Sequence, residues 1–176
     1  FQYNEAGPFL QGLAAVKNGG KWGYIDKTGE AVIDFQYDEV GSFGNGLAPV
    51  KQGGKWGYIN QDGELAIPCT FKEAGYFSEG LAPVVQQDGW GYIDTTGKIA
   101  IPCKYWYAAS FSEGFAAVRA KGEYNVWGFI DKTGKEVVPP KLYNENGVKY
   151  GIFGMPGAES TFHDGSTLIS RFMTEG

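Results

Sequence analysis

Cys69, Cys103 and His163 are the chain's two thiols and its single imidazole. They are the groups best suited to act as nucleophile, general base or transition-metal ligand. A Cys–His nucleophile pair must sit within hydrogen-bond reach, so Cys103 and His163 could meet only if the C-terminal stretch folds back. A zinc site built from Cys and His takes about four ligands, and these three fall short. Cys69 and Cys103 each follow an Ile-Pro dipeptide. A disulfide between them would require Cα atoms within about 7 Å. Two small buried apolar groups are the preferred reading, because Phe35 occupies the same place after Ile33-Asp34. Oxygen ligands come from four turns: Asp26-Lys27-Thr28-Gly29, Asn60-Gln61-Asp62-Gly63, Asp94-Thr95-Thr96-Gly97 and Asp131-Lys132-Thr133-Gly134. Calcium takes about six to eight oxygens, and each turn offers one or two. Turn chemistry accounts for them: Asp or Asn caps through its side chain, and Gly supplies the positive φ. No catalytic residue, metal or cofactor is therefore expected.

The aromatic residues carry more information. Trp22-Gly23, Trp56-Gly57, Trp90-Gly91 and Trp127-Gly128 recur at steps of 34, 34 and 37 residues. A near-fixed period marks one supersecondary unit copied along the chain. Each copy opens on an aromatic (Tyr3, Tyr37, Phe71, Tyr105), followed by a phenylalanine (Phe9, Phe43, Phe77, Phe111). Gly46-Leu47-Ala48-Pro49-Val50 typifies the next segment. Gly53-Gly54 turns the chain, and Lys55-Trp56-Gly57-Tyr58-Ile59 runs back, which predicts a β-hairpin. A further strand follows each Asp-x-x-Gly turn. Pro68, Pro102 and Pro139 are expected to end it, because proline cannot donate to a ladder. The opening aromatics keep a step of 34, so the extra three residues of the fourth copy fall between Val118 and Trp127. A hairpin loop absorbs such an insertion.

The expected architecture is all-β, an open array of short antiparallel hairpin or three- to four-stranded units. A small β-propeller is the alternative, although its blades usually take about 40–50 residues. Four repeats span 3–36, 37–70, 71–104 and 105–142, and 143–176 form a degenerate closing unit or tail. Glycine supplies 28 of 176 residues, about twice the usual share of roughly 7%, which fits many tight turns. The net charge of −5 comes with no basic cluster, so nucleic acid is not an expected partner. No apolar run approaches the roughly 20 residues of a membrane helix. The chain opens on Phe1, which implies a fragment cut at a repeat boundary or a mature product after leader removal.

Phe43-x-x-Gly46-Leu47-Ala48-x-Val50, Lys55-Trp56-Gly57-Tyr58-Ile59, Gly63 and Ile67-Pro68 resemble the repeat of the WG-repeat family of bacterial proteins. Four aligned copies over about residues 3–142 make the resemblance specific. It implies a bacterial β-repeat protein with no catalytic residues to carry over, and leaves open a secreted or cell-surface location.

The tryptophans themselves are read as a stacked core spine rather than a sugar platform, since every full unit repeats them. Trp106 and Tyr107 are different. Their counterparts are Asn4-Glu5, Asp38-Glu39 and Lys72-Glu73. Polar residues in three copies imply exposure, so an aromatic pair there predicts a surface patch for a ligand. The other possibility is that the pair packs beneath the tail. Tyr124, in the insertion of the same unit, joins the candidate site. The expected function is a noncatalytic binding or interaction module for a protein or a glycan. A hydrolase using His163 and Asp164 of the tail, or a structural spacer in a longer protein, are the alternatives.

Overall fold

The computed structural model of the chain describes residues 3–87, 89–121, 127–138, 143–145 and 148–150. They form four antiparallel sheets of four strands each, every sheet an up-and-down meander. The first holds β1 (Glu5–Leu10), β2 (Leu13–Asn18), β3 (Lys21–Ile25) and β4 (Ala31–Tyr37). The second holds β5 (Glu39–Val40), β6 (Leu47–Gln52), β7 (Lys55–Asn60) and β8 (Leu65–Phe71). The third holds β9 (Glu73–Ala74), β10 (Leu81–Gln86), β11 (Gly89–Asp94) and β12 (Ile99–Tyr105). The fourth holds β13 (Tyr107–Ala108), β14 (Phe115–Arg119), β15 (Trp127–Asp131) and β16 (Glu136–Val138). A two-stranded hairpin of β17 (Tyr143–Glu145) and β18 (Val148–Tyr150) follows.

The unit is thus four-stranded. Its extra member is the short strand typified by Glu39–Val40, one residue past the aromatic that closes the preceding sheet. The architecture is an open repeat array. One buried cluster joins the first sheet to the second through Tyr24, Ile33, Tyr37, Phe43, Ala48, Val50 and Ile59. Equivalent clusters join the second to the third and the third to the fourth. Among the described residues no buried cluster joins the first sheet to the fourth.

The prolines do not end their strands. β8 continues through Pro68 to Phe71, and β12 through Pro102 to Tyr105, while Pro139 lies outside the described residues. The register explains this. Trp56 faces Phe71 and Tyr58 faces Ile67, so Gly57 alone stands opposite Pro68, Cys69 and Thr70. The bulged strand needs no ladder donor from the proline there. It also crowds the glycine: a β-carbon on Gly57 would lie 2.5 Å from the Ile67 carbonyl oxygen and 2.7 Å from the Cys69 nitrogen. Gly23 and Gly91 meet the Ile33 and Ile101 carbonyl oxygens at 2.5 and 2.6 Å in the same way. The glycine of the first three Trp-Gly pairs is therefore a close-approach residue beneath a bulge.

The central column of the array is not made of indoles. Trp56 is buried, whereas Trp22, Trp90 and Trp127 keep part of their surface in solvent. The column is filled two residues further on, by Tyr24, Tyr58 and Tyr92, each essentially inaccessible. Each ring packs on the phenylalanine of the next sheet at 4.8–5.0 Å (Tyr24 on Phe43, Tyr58 on Phe77, Tyr92 on Phe111). Each hydroxyl donates across the seam to a carbonyl: Tyr24 to Gly41 at 2.7 Å, Tyr58 to Gly75 at 2.8 Å, Tyr92 to Ala109 at 2.7 Å. Burial raises the hydroxyl pKa of all three well above the usual tyrosine value, so they remain neutral donors. A tyrosine suits this place because it buries a large apolar ring and still satisfies its polar end.

A second set of seam contacts joins the tight turns after β5, β9 and β13. Gln11, Asn45, Glu79 and Glu113 all adopt φ between 48° and 53°, in the left-handed region. Asn45 Oδ1 accepts from the Gly80 amide at 3.1 Å, and Glu79 Oε2 from the Gly114 amide at 3.0 Å. Ser78 Oγ donates to the Phe111 carbonyl at 2.7 Å. Nothing in local pattern identifies these bonds, because they link residues about one repeat apart.

Candidate functional site

The Asp-x-x-Gly turns use their carboxylates internally. Asp26 Oδ1 accepts from the Thr28 amide at 2.8 Å, the Thr28 hydroxyl at 2.6 Å and the Glu30 amide at 3.1 Å. Asp94 and Asp131 repeat the pattern. The Thr hydroxyl bond, then the backbone amides, holds each carboxyl below its usual pKa.

Cys69 and Cys103 are free thiols, each half-buried. They pack against different seams: Cys69 on the cluster between the first and second sheets, Cys103 on that between the second and third. Burial pushes both thiols up in pKa, away from the thiolate that nucleophilic chemistry needs. They serve as small apolar fillers of the bulge, and the larger Phe35 fills the same position in the first sheet, its ring 5.9 Å from Tyr3. His163 and Asp164 lie outside the described residues.

Trp106 and Tyr107 lie at the seam between the third and fourth sheets. Trp106 is 62% exposed and Tyr107 43%. The Trp106 amide donates to the Arg119 carbonyl at 2.8 Å, and Tyr107 faces Arg119 directly in the β13–β14 register. The Tyr107 ring lies between two indoles, 5.7 Å from Trp90 of the third sheet and 5.6 Å from Trp127 of its own. The interplanar angles are 54° and 68°, so the three rings form a ridged aromatic row. Tyr124 lies outside the described residues. The insertion that contains it leaves the flanking ladder in register: Arg119 faces Trp127 as Lys51 faces Trp56.

The sequence singled out Trp106 and Tyr107 but did not connect them to the tryptophans. The signal was present in the pairing. Glu5, Lys17 and Trp22 occupy one row across the first sheet, and Glu39, Lys51 and Trp56 the same row across the second. In both, the lysine is paired with the glutamate (2.7 and 2.6 Å) and its ammonium lies 5.6–5.7 Å from the indole centroid. Tyr107, Arg119 and Trp127 fill this row in the fourth sheet. An aromatic has taken the place of the carboxylate.

A separate cavity of about 160 Å³ opens between the first and second sheets, lined by Leu10, Leu13, Ala15, Trp22, Val40 and Phe43 among others. Ala15 is a lining residue at which the first sheet differs from the next two. Pro49 and Pro83 hold the position of Ala15 in the next two sheets. There the prolyl rings press so closely on Gly41 and Gly75 that a β-carbon would stand 2.6 and 2.7 Å from Cγ. Ala15→Pro is expected to fill part of the cavity and to raise stability by about 0.5–1 kcal/mol, the range for a compatible proline. A urea melt showing the variant no more stable than the parent would mean that the β2 backbone does not match that of β6.

The family model described as the WG containing repeat matches residues 1–22, 22–56, 56–89, 90–124 and 127–145. No curated protein matches the chain. Among solved structures it is similar to one described as the crystal structure of the eukaryotic initiation factor, with a TM-score of 0.45 and 14% identity. That match covers 72% of this chain and 40% of the other.

Proposed function

The chain belongs to the WG-repeat family, and from that premise we propose that it is a noncatalytic binding module whose ligand is a protein or a glycan. The contact face is the aromatic row at the third seam, centred on Tyr107, together with the exposed Trp106. One observation carries this reading. At the first seam the corresponding residues, Asp38 and Glu39, are tied up in ion pairs with Lys21 and Lys51, whereas at the third they are two exposed aromatic rings. Exposed aromatics gathered on a rigid sheet are the side chains that supply most binding energy in recognition sites. A repeat scaffold suits the role, because one unit can vary its surface while the tyrosine column keeps the stack intact.

The experiment is the double variant Trp106→Asp with Tyr107→Glu, which restores the polar pair of the second sheet. It is expected to melt with the parent and to lose about 2 kcal/mol or more of binding, roughly 30-fold in affinity, against ligands found by glycan array and partner capture. Undiminished binding by a folded double variant would end the proposal. A destabilised variant whose C-terminal region becomes protease-sensitive would assign the pair to packing instead.

A further inference from the structure

Two cations at the third seam have no acidic partner among the described residues, whereas Lys51, the counterpart of one of them, is paired. Lys51 is paired with Glu39, and the neighbouring Asp38 takes Lys21 at 2.5 Å. Lys51 and a Gly53 amide bond also help to lower the Asp38 carboxyl pKa, after the leading effect of Lys21. Moving two repeats along, Asp38 becomes Trp106, Glu39 becomes Tyr107, Lys51 becomes Arg119, Gly53 becomes Lys121 and Lys21 becomes Gly89. Both acids are gone, one cation is lost and another is gained. Lys121 is exposed and its Nζ reaches over Gly89, where a β-carbon would stand 3.1 Å away. Neither Arg119 nor Lys121 has an ion-pair partner among the described residues.

We infer that the third seam is a site for an acidic glycan, one bearing uronate carboxylates. This rests on the binding reading above and names its ligand class. The Trp106 ring offers an exposed face against which the C–H face of a pyranose lies. Arg119, which faces Tyr107 in the β13–β14 register and accepts the Trp106 amide at its carbonyl, offers a planar fork that matches a carboxylate bidentately. Lys121, exposed with its Nζ over Gly89, adds a second positive charge. The patch composition favours sugar over a protein surface. Its exposed large apolar residues are Trp106 and Tyr107, while the exposed aliphatics Leu10, Val32, Leu65, Ile99 and Val137 lie on β1, β4, β8, β12 and β16, none of them on the strands that carry Tyr107, Arg119 and Trp127. A protein hot spot would sit within a wider apolar core. The chain's overall charge of −5 does not oppose the ligand strongly, because carboxylates more than about 8 Å away are largely screened at physiological salt.

The test titrates the whole chain with polygalacturonate, a neutral soluble glucan and poly-glutamate, using the parent, Arg119→Gln, Lys121→Gln and the Trp106→Asp/Tyr107→Glu double variant. The parent should bind polygalacturonate at least tenfold more tightly than the glucan, with affinity falling as salt rises. Arg119→Gln should lower the affinity about tenfold, as expected for a lost charge-assisted hydrogen-bond pair. The exposed Lys121→Gln should lower it about threefold with no change in melting temperature, and so serves as the check if the Arg119 variant is destabilised. Equal affinity for poly-glutamate, or affinity unchanged in both cation variants, overturns the inference. If a neutral ligand is bound and lost in the double variant alone, the binding reading stands and the acidic-glycan inference fails. If the double variant binds every ligand like the parent, both fail.

Discussion

Tyr58→Ala is expected to lower the unfolding free energy by roughly 3–5 kcal/mol, the range for deleting a large buried aromatic. The side chain is fully buried. Its ring packs against Phe77 at 4.8 Å and its hydroxyl satisfies the Gly75 carbonyl at 2.8 Å. Alanine leaves a cavity at the seam and an unpaired carbonyl together. Tyr58→Phe separates the two contributions: it keeps the ring and should cost only about 1–2 kcal/mol, the penalty for one lost buried bond. Because each unit of an array leans only on its neighbours, the damage should concentrate in the second and third sheets. Hydrogen exchange on the variant would then accelerate in β7 and β10 more than in β2. A urea melt in which Tyr58→Ala loses under about 1 kcal/mol, the scale of surface changes, would remove the tyrosine column from the account of stability.

The second large effect is expected at Gly57→Ala, at about 3 kcal/mol, the upper part of the usual range for overpacking. One methyl group is a small addition, and alanine tolerates ordinary strand dihedrals. The cost comes from what the methyl meets: the Ile67 carbonyl oxygen at 2.5 Å and the Cys69 backbone nitrogen at 2.7 Å. Backbone cannot rotate aside as a side chain can, so the bulge must open and the Trp56–Phe71 and Tyr58–Ile67 pairs must shift. Cys69→Ala in the same chain clears only the thiol, whose sulfur stands 2.8 Å from the added carbon. It should therefore recover little of the loss. Full recovery by Cys69→Ala would show that the glycine accommodates the thiol, not the backbone.

The period of the Trp-Gly pairs by itself determined the array, its turns and its hairpins. Those features depend on local chemistry: glycine where φ is positive, aspartate where a turn needs a cap, apolar residues two apart along a strand. Pro68 was misread from the same local logic, because a bulge is a property of two paired strands and one strand's sequence does not reveal it. The indoles were misassigned for a related reason. The Trp and Tyr positions both repeat and both alternate inward, and only the stacking of sheets decides that the tyrosine reaches the neighbour's phenylalanine while Trp22, Trp90 and Trp127 stay partly in solvent. At the candidate site the sequence picked out Trp106 and Tyr107 because they break a polar pattern, a comparison among copies that needs no coordinates. Their junction with Trp90 and Trp127, and the absence of an acidic partner for Arg119 and Lys121 among the described residues, were decided by tertiary structure alone. Strand register and sheet stacking bring together groups that lie up to a full repeat apart in the chain.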